Sequence, residues 1–254
     1  MLIVLSPAKA LDMSPPTTPV RTTTPALLDQ AAELLDVCQD LSVSDLKRLM
    51  KLSDNLAELN HARFQDMDLK ADSKPAVLAF AGDVYKGLEA NSLTADQLDA
   101  AQGTVRILSG LYGVLRPLDA LQPYRLEMGT RLVTSRGHTL YEFWGARIAQ
   151  QLDKDLADHS DGTLVNCAST EYFKAVDRKA LKAPVVTCHF KEEAAGTLRV
   201  LGLYAKTARG MMARFALEQG IQKADDLKAF DGGGYRFQAD LSDNENWVFT
   251  RPKP

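Results

Sequence analysis

Lys206, Arg209 and Arg214 recur along Ala205–Glu218 at spacings that put them in one broad arc of a helix, beside Gly210 and Ala213. Met211, Met212, Phe215 and Ala208 fall on the opposite arc. A helix of this kind buries one face and presents cations on the other. Small residues among the cations would let a ligand backbone come close, although a solvated amphipathic helix carries the same pattern. Ser6-Pro7-Ala8-Lys9 closes a short apolar run. A serine and a lysine at a strand's carboxyl end stand where parallel sheets commonly bind ligands. Lysine there grips phosphate, or acts as a nucleophile when desolvation lowers its pKa. The plain alternative is a turn with a surface lysine.

Two further segments place acids beside bases. In Asn166-Cys-Ala-Ser-Thr-Glu-Tyr-Phe-Lys174, Ser169 is a candidate helix cap, and Glu171 with Lys174 has i,i+3 pairing distance. In Tyr124-Arg-Leu-Glu-Met128, Arg125 and Glu127 share one face if the chain is extended. Several such pairs at strand ends point to one polar cleft. Leu108–Gly129, which holds Arg125 and Glu127, also carries Gly110, Gly113, Pro117 and Pro123 among apolar residues. The glycines permit positive φ or close approach of a phosphate, and each proline keeps its predecessor extended. This backbone is stiff enough to build a site, or to serve as a rigid connection.

Metal and nucleotide signatures are missing from the pattern. His61, His138, His159 and His189 are scattered, with no Cys-x-x-Cys or His-x-x-x-His spacing. Cys188 and His189 are adjacent in an apolar strand and point to opposite faces, so a packed core cysteine is the expectation there. Asp231-Gly-Gly-Gly-Tyr235 lacks the strand–helix context of a dinucleotide fingerprint and reads as a turn. No cofactor and no resident metal are expected.

The 254 residues carry a formal charge of −3 and ordinary globular composition, so bulk charge does not point to nucleic acid. The distribution shows that an acidic total can hide a basic cleft. Glu171–Arg214 holds nine bases against four acids, whereas Asp29–Asp66 holds eight acids against four bases. Local field governs anion binding more than net charge does. Three cysteines, Cys38, Cys167 and Cys188, without paired spacing suit a reducing compartment. The opening segment lacks a basic flank and a long apolar run, and no uncharged run approaches a membrane span, so a cytoplasmic protein is expected.

The elements that must position these side chains are legible in outline. Strands are expected at Leu2–Leu5, Val105–Leu108, Thr163–Cys167, Val185–Phe190 and Leu198–Leu203, with a closing hairpin of Tyr235–Ala239 and Trp247–Thr250. Ser14–Pro25 reads as a long loop. Helical spacing runs through Leu27–Cys38, then from the Ser42/Asp45 capping box through Leu46–Leu59 with an interruption near Lys51–Asp54. Further helices are expected from Pro75 through Leu88, from the Thr94/Gln97 capping box, and as one piece from Tyr141 to Leu156. The fold class is α+β: a single domain over 1–254 with a mixed sheet and a helical lobe.

Ser6-Pro-Ala-Lys9, Phe80–Leu88, Leu108–Gly129, Leu140-Tyr-Glu-Phe-Trp144, Ala168-Ser-Thr-Glu-Tyr172 with Lys174, and Lys206–Arg214 together resemble the YaaA family of bacterial peroxide-stress proteins. The resemblance spans essentially the whole chain. It implies a cytoplasmic protein that limits free intracellular iron under peroxide. It also implies binding of double-stranded DNA through a helix-hairpin-helix element beside a basic cleft. The cleft candidates are Lys9, Arg125, Lys174, Lys206, Arg209 and Arg214, with Glu127 and Glu171 as carboxylates. The hairpin has two candidates: Gly110–Gly113 by turn chemistry, and the turn with Lys51 and Ser53 by its flanking helices. The alternative function is an enzyme acting on a nucleotide or other phosphorylated small molecule in the same cleft.

Overall fold

The computed structural model describes residues 1–16, 20–71 and 73–254; part of the Ser14–Pro25 loop, 17–19, therefore lies outside the described residues. Strand β1 (Leu2–Leu5) is fully buried along its length, as its unbroken apolar run requires. After it come β2 (Ala10–Leu11), α1 (Leu28–Gln39), α2 (Val43–Met50) and α3 (Asp54–Gln65). The Ser42/Asp45 capping box forms at the start of α2, and Lys51 ends that helix in the left-handed region, at φ 52°. Ser53 then begins α3, so the expected interruption is a short turn between two helices.

The stretch from Pro75 is broken where a single helix was expected. It divides into β3 (Lys74–Pro75), α4 (Ala76–Ala79), β4 (Phe80–Ala81) and α5 (Asp83–Leu88). β4 pairs with β2, and Gly82 lies so close to the loop after β1 that an added Cβ would stand 2.9 Å from the Cβ of Ala8. Tertiary pairing overrides the helical period here. α6 (Ala95–Thr104) starts on the Thr94/Gln97 capping box and leads into β5 (Val105–Ser109), β6 (Gly113–Leu115) and β7 (Ala120–Leu121).

The expected Tyr141–Leu156 helix is likewise two, α7 (Leu140–Trp144) and α8 (Arg147–Leu156), separated at Gly145, whose φ is +49°. The break turns Trp144 onto Gly113, and its indole N–H donates to the Gly110 carbonyl at 3.0 Å. Then follow β8 (Leu164–Cys167), α9 (Thr170–Phe173), β9 (Val185–Ala194) and β10 (Thr197–Arg199). The strand expected over Leu198–Leu203 stops at Arg199, because Gly202 already opens α10 (Gly202–Glu218). β11 (Arg236–Phe237) and β12 (Asn246–Pro252) pair antiparallel as the closing hairpin.

The main sheet has eight strands in the order β11-β12-β9-β8-β1-β5-β6, with β10 beside β9. The central pairs β12–β9, β9–β8, β8–β1 and β1–β5 are parallel, and the edges are antiparallel. The architecture is one domain of mixed helix and sheet. From β1 the chain next enters the sheet at β5, on one side, whereas from β8 it goes to β9, on the other. Connections diverging from neighbouring parallel strands open a crevice at their carboxyl ends. No helix among the described residues is long and apolar enough to cross a membrane.

Candidate functional site

The crevice opens where that topology places it. Ser6 follows β1 and Ser169 follows β8, and the two loops are tied together by the Ser169 N–H donating to the Ser6 hydroxyl oxygen at 2.8 Å. The Tyr85 hydroxyl donates to the Ser6 carbonyl at 3.1 Å and fixes the loop from beneath. A cleft of about 460 Å³ results, walled by Ser6–Lys9, Gly82, Asp83, Glu127, Tyr172, Lys206 and Arg209. That volume lies within the range of small-molecule sites. A second cleft, about 740 Å³, lies beyond Arg209 and includes Asn166, Thr170, Lys174, Thr187 and His189. Arg209 borders both.

The six basic candidates do not form one free surface. Lys9 pairs with Glu127 at 2.9 Å, and Arg125 reaches the other oxygen of the same carboxylate at 3.0 Å. The expected Arg125–Glu127 pairing is therefore present, with Lys9 added to it. Arg214 is committed elsewhere: it pairs with Glu218 at 2.8 Å and donates to the Leu88 and Glu89 carbonyls, both at 3.1 Å. It fastens α10 to the end of α5. Lys174 lies over the Tyr141 ring, 4.8 Å from its centroid. The i,i+3 pairing expected between Glu171 and Lys174 is absent among the described ion pairs, because Glu171 instead accepts from the Gly129 N–H at 3.0 Å. Lys206 is exposed on α10, on the rim of the smaller cleft.

Arg209 stands apart. Its Nε is buried and has no hydrogen-bond partner among the described residues. Burial pulls its pKa down, and the thiols of Cys167 and Cys188 oppose that shift. A partly buried cation that forms no ion pair among the described residues raises the affinity of the cleft for an anion. Tyr172, on the same wall, keeps its proton because burial and then Glu171 and Glu127 push its pKa up. It offers the cleft a neutral phenol.

Two expectations about glycine are corrected. Gly210 and Ala213 do not admit a ligand. They are buried, and an added Cβ on Gly210 would stand 1.8 Å from the Val84 carbonyl oxygen of α5. The backbone that approaches is the protein's own. Gly110–Gly113 turns between strands β5 and β6, and its Leu111 and Tyr112 are 0% and 1% exposed. A Cβ at Gly110 would meet the Leu126 carbonyl at 2.1 Å, and the Tyr112 N–H donates to the Ser109 hydroxyl at 2.9 Å, so this turn packs closely against the protein itself. Of the two hairpin candidates, only the Lys51–Ser53 turn joins two helices. The juxtaposition of Cys167 and Cys188 on β8 and β9 is what sequence patterns missed, since strand register alone creates it.

A family model for the peroxide stress protein YaaA matches residues 1–241. The chain belongs to the YaaA family of peroxide stress proteins. Its relatives are similar from end to end. A UPF0246 protein of Caulobacter vibrioides is 58% identical, covering 100% of both chains. A UPF0246 protein of Dinoroseobacter shibae is 53% identical, covering 100% of this chain and 96% of that one. The UPF0246 protein IL2146 of Idiomarina loihiensis is 51% identical, covering 99% and 98%.

Proposed function

We propose that this chain acts in the cytoplasmic peroxide response by binding double-stranded DNA through phosphate contacts at the Arg209 crevice, and that it limits free intracellular iron. Arg209 carries the reading: it is a largely buried guanidinium with an unpartnered Nε, flanked by Lys206 on the same helix. Lys174, stacked over the Tyr141 ring, adds a third cation with no ion pair among the described residues. The α2–turn–α3 pair, with Lys51 exposed at its turn, is the proposed helix-hairpin-helix contact. The reading includes no resident metal, so iron is limited through the protein's action in the cell.

Fluorescence anisotropy of a labelled duplex tests the DNA contact. Three uncommitted cations predict that log affinity falls with log salt at a slope of about −3. Lys206→Glu with Lys174→Glu should lower affinity at least tenfold at low salt and flatten that slope by about 2. Affinity that ignores both changes would overturn the proposal. For iron, whole-cell EPR of chelatable iron after peroxide should show a rise in cells lacking the protein and a return when it is restored.

A second reading, an enzyme acting on a nucleotide or phosphorylated small molecule, is favoured by the paired Lys9–Glu127–Arg125 cluster and the neutral Tyr172 on one cleft wall. Phosphorus NMR of nucleoside monophosphates incubated with the protein would show new resonances if it holds.

A further inference from the structure

β9 pairs in parallel with β8 on one side and with β12 on the other. Strands so placed are ordinarily apolar on both faces, because both faces are covered. β9 departs from that rule. Val186, Cys188 and Phe190 are buried on one face, whereas Thr187 and His189 are half-buried on the other. The register sets Asn166 of β8 and Asn246 of β12 on either side of Thr187, so three strands present one polar row. That row lines the larger cleft, of about 740 Å³.

Hydrogen bonds within the row leave specific capacity unused. Asn166 accepts the Ala168 N–H at 2.9 Å and donates to the Thr187 hydroxyl oxygen at 3.3 Å, so the Thr187 hydrogen is left to donate. The Asn246 amide nitrogen donates to Asp243 at 3.1 and 3.2 Å. Its oxygen therefore accepts from His189 Nε2 at 3.0 Å, which leaves Nδ1 of the neutral ring as an acceptor. One donor and one acceptor thus stand two residues apart on one strand face, about 6.6 Å. Phe173 and Val176 add apolar surface to the lining. Lys174, Arg178, Lys179 and Arg209 supply four cations, against Asp177, whose carboxylate accepts the Lys179 N–H at 2.9 Å. Lys174, Arg178 and Lys179 are exposed and Asn166 is buried, so the charge lies outward of a polar floor.

We propose that the larger cleft binds a nucleoside monophosphate, with its base against Thr187 and His189 and its phosphate among the four cations. A nucleobase carries donors and acceptors on a rigid planar ring, which matches a floor that offers both beside apolar surface. An inorganic anion leaves the floor unused, and an apolar ligand leaves Thr187 and His189 without partners. The site lies outside the Lys9–Glu127 wall, shares only Arg209 with the smaller cleft, and requires neither DNA binding nor turnover.

Isothermal titration calorimetry of the full chain with AMP, GMP, CMP and UMP, without DNA, should give a Kd below about 1 mM for at least one of them. Thr187→Val keeps the shape and removes the donor, and should weaken that nucleotide about three- to tenfold. Lys174→Gln with Arg178→Gln should weaken it about tenfold or more. In nitrogen-15 histidine-labelled protein, the Nδ1 resonance assigned to His189 by its loss in His189→Gln should shift with the nucleotide and stay in place with inorganic phosphate. Failure of all four nucleotides to bind, or binding that leaves the His189 resonance unmoved, would overturn the proposal. A Lys9→Gln effect as large as that of Thr187→Val would also overturn it, by placing the ligand in the smaller cleft. The Thr187→Val arm touches no charged residue and decides the matter even if the cation variants fold poorly. DNA is absent throughout, so failure here leaves the DNA reading standing, and failure of that reading leaves this site standing.

Discussion

Glu127 restrains two cations of the crevice with one carboxylate, Lys9 on one oxygen and Arg125 on the other. It therefore competes with any anion that enters. Glu127→Gln keeps the shape and removes the charge. Affinity for duplex DNA, read by anisotropy at low salt, should rise about three- to tenfold, the range expected for removing one like charge from an anion site. Unchanged or weaker binding would show that Lys9 and Arg125 do not face the ligand. The acid–base composition of this cluster was legible in the sequence. Its partnerships were not, because they depend on distance in space. Arg214 looked like a sibling of Arg209, yet its donors go to carbonyls more than a hundred residues away, whereas the Arg209 Nε goes unpaired.

At the scale of elements, α10 and α5 cross with almost no space between their backbones. Gly87 and Gly210 make this possible: an added Cβ would stand 2.0 Å from the Thr207 carbonyl at the first and 1.8 Å from the Val84 carbonyl at the second. Gly210→Ala should force the helices apart, cost about 3 kcal/mol in urea unfolding, and displace Arg209, its neighbour in sequence. Gly103→Ala, at a glycine with open space around it in α6, should be neutral or stabilise by up to about 1 kcal/mol. Similar losses at both sites would mean the crossing tolerates separation. Helical period revealed α10, and side-chain chemistry revealed both capping boxes, since each is a local signal. The breaks at Gly82 and Gly145 were not legible. They answer to partners elsewhere, Ala8 in one case and the seat of Trp144 in the other.

Across the whole molecule, Asp119 joins segments that are distant in sequence, and it does so while fully buried. Its carboxylate accepts from the Thr23 hydroxyl at 2.6 Å and from Arg116 through the backbone N–H, at 2.7 Å, and through the guanidinium, at 3.0 and 3.1 Å. Its own carbonyl receives the Ala76 N–H at 2.9 Å, which anchors the segment that leads to the crevice loop. Asp119→Asn turns an acceptor into a donor facing Arg116. It should cost about 3 kcal/mol at about pH 7, measured by urea unfolding. The pH dependence carries a definite sign. Burial raises the Asp119 pKa, and the bonds from Thr23 and Arg116 offset that only in part. A carboxyl whose folded pKa exceeds its unfolded value binds its proton more readily when native. Its contribution to stability is therefore adverse above the folded pKa and is recovered as pH falls through that value toward 3.8. The advantage of the natural chain over Asp119→Asn should thus be larger at about pH 4 than at about pH 7. A gap that narrows toward acid would mean that the Arg116 ion pair outweighs burial and holds the carboxyl below its ordinary range.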